Sequence, residues 1–141
     1  EVRKLSKDIN FKDKNGTIVN LNDYKKKLII LNFWATWCAP CKKEMPSLDN
    51  LKSNKNFKNL IILPINVGKE NLNKSIKFYE KIGIKNLEIF FEDSNKLANL
   101  LMLRGIPTTI LINKDGDEFA RILGSVDFED KKLVEWLKTY D

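Results

Sequence analysis

A chain of 141 residues, 43% hydrophobic and 31% charged with few glycines and prolines, has the composition of one globular domain (residues 1–141). It is long enough to bury roughly 70% of its unfolded surface and needs no disulfide to fold. No apolar run reaches the roughly 18 to 20 residues of a membrane-spanning helix, and histidine is absent, which excludes Ser-His-Asp and Cys-His catalytic pairs, Cys/His zinc sites and histidine-ligated haem. The formal charge of +6 is spread over lysines interleaved with Asp and Glu, with only Arg3, Arg104 and Arg121 able to grip phosphate bidentately, so no nucleic-acid partner is expected.

Along the chain, Ile9 and Phe11, then Ile18 and Val19 across the Lys14-Asn15-Gly16 turn signal, read as a hairpin. Lys25-Lys26-Lys27 reads as a solvated loop, or a face toward an anionic membrane surface. It precedes Leu28 to Trp34, a near-continuous apolar run typical of a central strand covered on both faces. Ala39 to about Lys55 reads as a helix with Met45, Leu48 and Leu51 inward and a kink at Pro46. Leu60 to Val67 is the next buried strand. Asn71 to Lys81 is predicted helical, with Leu72, Ile76 and Tyr79 on one stripe and Gly83 as its stop, and Leu87 to Phe91 a short strand.

Asp93 or Ser94 is placed to cap a helix through Leu97, Leu100 and Leu101 that ends before Gly105. Thr108 to Ile112 and Glu118 to Leu123 form a second hairpin around Lys114-Asp115-Gly116-Asp117. The last helix is predicted to open at Asp127 and to bury Leu133, Trp136, Leu137 and Tyr140. The order of strands and helices describes one α/β domain without linker or repeat.

The only two cysteines stand three apart in Cys38-Ala39-Pro40-Cys41, at the junction of the central strand with a helix. A helix N-terminus offers unpaired N–H groups and partial positive charge that stabilise a thiolate on the first cysteine. One turn on, the second lies within reach of the first sulfur and can resolve a mixed disulfide. Cys38 is therefore expected to be exposed and Cys41 shielded. The spacing also admits a structural disulfide or half of a shared metal site, although so small a loop adds little stability and no second ligand pair is present.

Trp37-Cys38-Ala39-Pro40-Cys41-Lys42 resembles the thioredoxin active site, and Arg104-Gly105-Ile106-Pro107-Thr108 resembles that superfamily's cis-proline loop. The Asn-Phe-Trp-Ala-Thr-Trp stretch and Lys42-Lys43-Glu44-Met45-Pro46 are closer to the extracytoplasmic TlpA, ResA and CcmG branch. The resemblance implies a thioredoxin-like fold with an N-terminal β-hairpin (9 to 20) and a central αβ insertion (71 to 91). It implies a redox-active Cys38–Cys41 disulfide, no other cofactor and a monomer. It makes Pro107 a cis residue against the cysteines, where a simple tight turn is the alternative, and leaves the backbone of Ile106 to pair with client.

Trp37, Ala39 and Pro40 would border the client, and Trp34 would flank the site with Trp37, either packing or touching client. Glu44 would handle the proton of Cys41, whereas read alone it is a solvated helical charge. Asn32 stands where thioredoxins proper carry aspartate, and a neutral amide cannot relay a proton.

Ala39-Pro40 supplies neither charge nor side-chain donor, so the Cys38 thiolate should be only moderately stabilised, as suits a disulfide reductase. An oxidase or isomerase using the same cysteines remains open. A copper chaperone of this superfamily would add a histidine, and a peroxiredoxin would need P-x-x-x-T-x-x-C, where this chain has Leu31 and Ala35. The chain starts at Glu1 without Met or signal sequence, which suggests a matured form. The branch is exported and often anchored at its N-terminus, implying the bacterial periplasm or cell-envelope exterior. Its implied partners are apocytochrome c or copper-site assembly proteins as clients, and a membrane electron donor of DsbD or CcdA type.

Overall fold

The computed structural model describes residues 2–5 and 8–141. Eight strands form one sheet in the order β1-β8-β7-β4-β5-β6-β2-β3. They are β1 (Arg3–Lys4), β2 (Asn10–Asp13), β3 (Ile18–Asn20), β4 (Leu28–Trp34), β5 (Leu60–Asn66), β6 (Phe90–Phe91), β7 (Thr108–Ile112) and β8 (Asp117–Leu123). Four helices, α1 (Ala39–Lys52), α2 (Leu72–Ile82), α3 (Lys96–Leu100) and α4 (Lys131–Lys138), cover its two faces.

The seven residues of β4 are all buried because this strand lies between β5, paired parallel, and β7, paired antiparallel. Successive side chains point to opposite faces. Ile30 and Trp34 therefore join the core built with α1, α2 and α4 (Met45, Leu48, Leu51, Phe78, Tyr79, Leu137), while Ile29, Leu31 and Phe33 join the opposite core with Ile9, Phe11, Leu97 and Leu101. Asn32 shares the parity of Ile30 and Trp34 and so points under α1, opposite Thr109 of β7. That parity brings a polar residue beneath the cysteines.

Several elements depart from the sequence reading. The short strand β1, paired to β8, was not anticipated, because two residues carry no detectable period. Helix α1 stops at Lys52 instead of running to Lys55, and Pro46 lies within it. In α2 the buried residues are Ser75, Phe78 and Tyr79, so Leu72 and Ile76 lie at the margin of the stripe. Gly83 ends the helix with a left-handed φ of 76°, which a side chain would strain.

The strand expected over 87–91 is confined to Phe90–Phe91 because its approach is held by a side chain. The carboxylate of Asp49 on α1, itself 5% exposed, accepts the backbone N–H groups of Lys85, Asn86 and Leu87 at 3.0, 2.7 and 2.9 Å.

Helix α3 has Asn95 at its cap position without a side-chain bond, while Ser94 accepts from the Lys96 N–H and is itself tied to Glu92. Leu97 and Leu101 are buried but Leu100 is exposed. The final helix is capped by Asp130, which accepts from Leu133 N at 3.0 Å, because Asp127 is already spent on a preceding turn with the Glu129 N–H. Trp136, expected to be buried, is 39% exposed. It rests edge-on against Phe119 and Tyr140, and only Leu137 of α4 is fully enclosed.

Candidate active site

Cys38 is the N-cap of α1, in extended conformation (φ −95°, ψ 106°), and its sulfur accepts the Cys41 N–H at 3.3 Å. Pro40 lies in the first turn, where a missing N–H leaves no helical bond unmade. The two cysteines form a disulfide with Cα atoms 5.3 Å apart. In this oxidised state Cys38 keeps 5% exposure and Cys41 none. The expected asymmetry is therefore present only in direction: with its sulfur turned back over the helix terminus, Cys38 is nearly covered. Ala39 and Pro40 are exposed at the rim.

Trp37 projects into solvent at 68% exposure beside Cys38. Trp34 takes the packing role: it is fully buried in the core cluster that includes Cys38 and Cys41, and lies over Phe78 and Tyr79 at 5.2 and 5.6 Å between ring centres. The two tryptophans differ in place: Trp34 ends β4 in the core, and Trp37 stands in the loop after it at the rim. The Ile106–Pro107 peptide is cis, as the motif implied, and Pro107 is buried with its carbonyl accepting from the Gly124 N–H at 2.9 Å. The backbone groups of the half-buried Ile106 make no hydrogen bond among the described residues.

Glu44 is 1% exposed, which removes the solvated-charge alternative. One carboxylate oxygen accepts from Asn32 Nδ2 at 2.8 Å, and the other accepts the Val126 N–H at 3.1 Å. Asn32 Nδ2 also lies 3.3 Å from Thr109 Oγ1. Burial pushes the Glu44 carboxyl up to about 7, the bonds from Asn32 and Val126 pulling it partly back. A carboxyl so placed exchanges its proton near neutrality, one helical turn below Cys41.

Sequence reasoning missed Glu70, Asn66 and Gly68, which hold the loop carrying Trp37. Glu70 accepts the Thr36 N–H at 2.8 Å and the Thr36 hydroxyl, and Asn66 Nδ2 reaches it at 3.2 Å. Burial pushes this carboxyl up, but the bonds from Thr36 and Asn66 and the nearby Lys74 charge outweigh it and hold it below its ordinary range. Gly68 is packed so closely that a Cβ would stand 2.7 Å from Ala35 Cβ and 3.1 Å from Trp37 Nε1. No periodicity or motif marks such loop contacts in one sequence. No group of three or more Cys, Asp or Glu among the described residues is placed to hold a metal.

A disulfide at a strand-to-helix junction, with a cis-proline loop on the same sheet, defines a thiol–disulfide oxidoreductase of thioredoxin fold. The AhpC/TSA family profile matches residues 2–117. The thiol-disulfide oxidoreductase ResA of Geobacillus thermodenitrificans is 35% identical over 138 residues, 97% of this chain and 78% of that protein. ResA of Geobacillus kaustophilus is 34% identical over 129 residues, 92% of this chain and 73% of that protein. A crystal structure from Chlorobium tepidum, assigned as the thiol:disulfide interchange protein DsbE, superimposes with a TM-score of 0.84 at 21% identity, covering 99% of this chain and 97% of that one. At that identity the likeness speaks for the fold alone. The chain belongs to the AhpC/TSA family and, within it, to the thiol–disulfide oxidoreductases of ResA type.

Proposed function

We propose that this chain is a dedicated disulfide reductase acting outside the cytoplasm, with Cys38 as nucleophile and Cys41 as resolving thiol. The observation that carries this is the Cys38–Cys41 disulfide at the start of α1 with the buried Glu44 one turn below it. In the reduced protein the Cys38 thiolate attacks a client disulfide, forms a mixed disulfide and expels one client thiolate. Cys41 loses its proton to the Glu44 carboxylate and attacks the Cys38 sulfur. The intramolecular disulfide forms and the second client sulfur leaves, protonated at the expense of Glu44. Two electrons pass to the client.

Each neighbour has a defined part in this scheme. The helix terminus and the Cys41 N–H stabilise the Cys38 sulfur as an anion. Asn32 and the Val126 N–H hold the Glu44 carboxylate without themselves taking its proton. The free backbone of Ile106, before Pro107, pairs with an extended client segment, and Trp37, Ala39 and Pro40 form the rim it crosses.

The clients favoured by the sequence resemblance are the haem-binding cysteines of apocytochrome c or the cysteines of copper-site assembly proteins, and a DsbD- or CcdA-type membrane dithiol would restore the reduced state. No helix among the described residues is long and apolar enough to cross a membrane, so the proposed anchor would lie outside them. The test is trapping: in Cys41→Ser the mixed disulfide with Cys38 cannot be resolved, so client accumulates as a reducible adduct in cells. Identification of the adducts as haem- or copper-receiving proteins supports the proposal. Adducts confined to unrelated secreted proteins would point instead to a general oxidase or isomerase.

A further inference from the structure

The three arginines, far apart in sequence, converge on one place. Arg3, Arg104 and Arg121 line a groove of about 240 Å³ together with Met102 and Leu123, between the β1–β8 edge of the sheet and the loop from α3 to β7. Arg121 is neutralised: its guanidinium holds Glu118 through two bonds of 2.8 Å and donates to the Leu101 carbonyl at 2.6 Å. Arg3 and Arg104 are exposed and, among the described residues, have neither an ion pair nor a hydrogen bond from their side chains. Two uncompensated cations thus face one groove.

The groove's apolar walls are exposed too. Met102 is 66% and Leu123 60% exposed, and Met102 takes a left-handed φ of 52°, uncommon for a side chain of its size. The groove is continuous with the cis-proline loop. Arg104 lies three residues before Pro107, Leu123 pairs with Thr108, and the next residue, Gly124, bonds the Pro107 carbonyl. An extended client aligned on Ile106 would leave the disulfide and run into it.

We infer that this groove is a specificity subsite for client segments carrying one or more carboxylates and an apolar side chain near the reacting cysteine. The inference rests on the reading above that the chain attacks client disulfides through Cys38. Arg3 and Arg104 pair with the carboxylates, and Met102 and Leu123 cover the apolar side chain. Exposed arginine–carboxylate pairs are individually weak, so the subsite sorts clients by several-fold differences in rate.

The experiment uses the reduced full chain and ten-residue peptides whose single cysteine is in mixed disulfide with mercaptoethanol. Three glutamates and a leucine stand on the N-terminal or the C-terminal side of the cysteine, and control peptides carry glutamines instead. One acidic peptide should be reduced roughly three- to tenfold faster than its glutamine control at low salt. The advantage should shrink toward one near about 0.5 M salt. It should vanish or reverse in Arg3→Glu/Arg104→Glu and be halved or more in Arg104→Gln.

Lys131→Glu/Lys132→Glu changes net charge equally on α4, which packs against the other face of the sheet, and should keep the advantage. Equal rates for acidic and glutamine peptides, or an advantage lost equally in the lysine pair, would overturn the subsite. If the wild-type chain reduces neither the peptides nor bis(2-hydroxyethyl) disulfide, the oxidoreductase reading falls first and the subsite with it.

Discussion

Replacing Glu44 by Gln separates its proton chemistry from its packing. In the unfolded chain the carboxyl titrates at the ordinary 4.5, and in the fold at about 7. Between those values the native state holds more protons than the unfolded one. Glu44 therefore adds stability that is fully present below the unfolded value and is lost as pH rises through the folded one. At about 1.4 kcal/mol per tenfold, the span amounts to about 3 kcal/mol.

Glutamine cannot ionise, and it offers one acceptor where Glu44 satisfies both Asn32 and Val126. The variant should lose about 1–3 kcal/mol from the unsatisfied donor, independent of pH. Urea unfolding of both proteins with the disulfide intact, from pH 4 to 8, measures the difference. The wild-type advantage should shrink or invert by about 3 kcal/mol across that range, since all other groups titrate alike in the two proteins. Parallel stability profiles would refute a raised Glu44. In the reduced protein the same substitution removes a negative charge near Cys41, so both thiols should ionise at lower pH.

Gly68→Ala should cost about 1–3 kcal/mol and alter the fluorescence of Trp37, because the new methyl collides with Ala35 and crowds the indole; unchanged stability would mean the loop yields freely. Asp49→Ala leaves three backbone N–H groups unbonded and should destabilise the fold by about 2–5 kcal/mol while leaving the reduction potential alone, both readable from unfolding and redox titration. Brief alkylation of reduced protein should label Cys38 well ahead of Cys41, which has no exposure in the disulfide form; equal labelling would cancel the division between attacking and resolving thiols.

The elements that sequence alone revealed are those whose signal is local. The apolar run of β4, the turn at Lys114–Asp117 and the Cys38-to-Cys41 spacing each announce themselves within a few residues. Glu44 could not be placed from its neighbours. On helix α1 it sits one position before Met45, so the buried stripe is wider than an apolar count suggests, and its partners arrive from Asn32 and Val126. Asp49 is hidden from a sequence reading for the same reason, as a carboxylate buried by three donors from a segment 36 to 38 residues later. Trp34 and Trp37 look alike in sequence, but one ends a strand and the other tops a loop held by Glu70. Tertiary hydrogen bonds decided Glu44, Asp49 and the Trp37 loop, and ring packing decided Trp34; residue type records neither.

The reduction potential of the Cys38–Cys41 couple tests the central claim most directly. Equilibration of the purified chain against dithiothreitol or glutathione buffers at pH 7, with free thiols trapped and counted, gives the value. A dedicated reductant whose thiolate is helped chiefly by a helix terminus should lie on the reducing side of roughly −200 mV. A value near about −120 mV, typical of a strong oxidant whose reduced form is unusually stable, would contradict it.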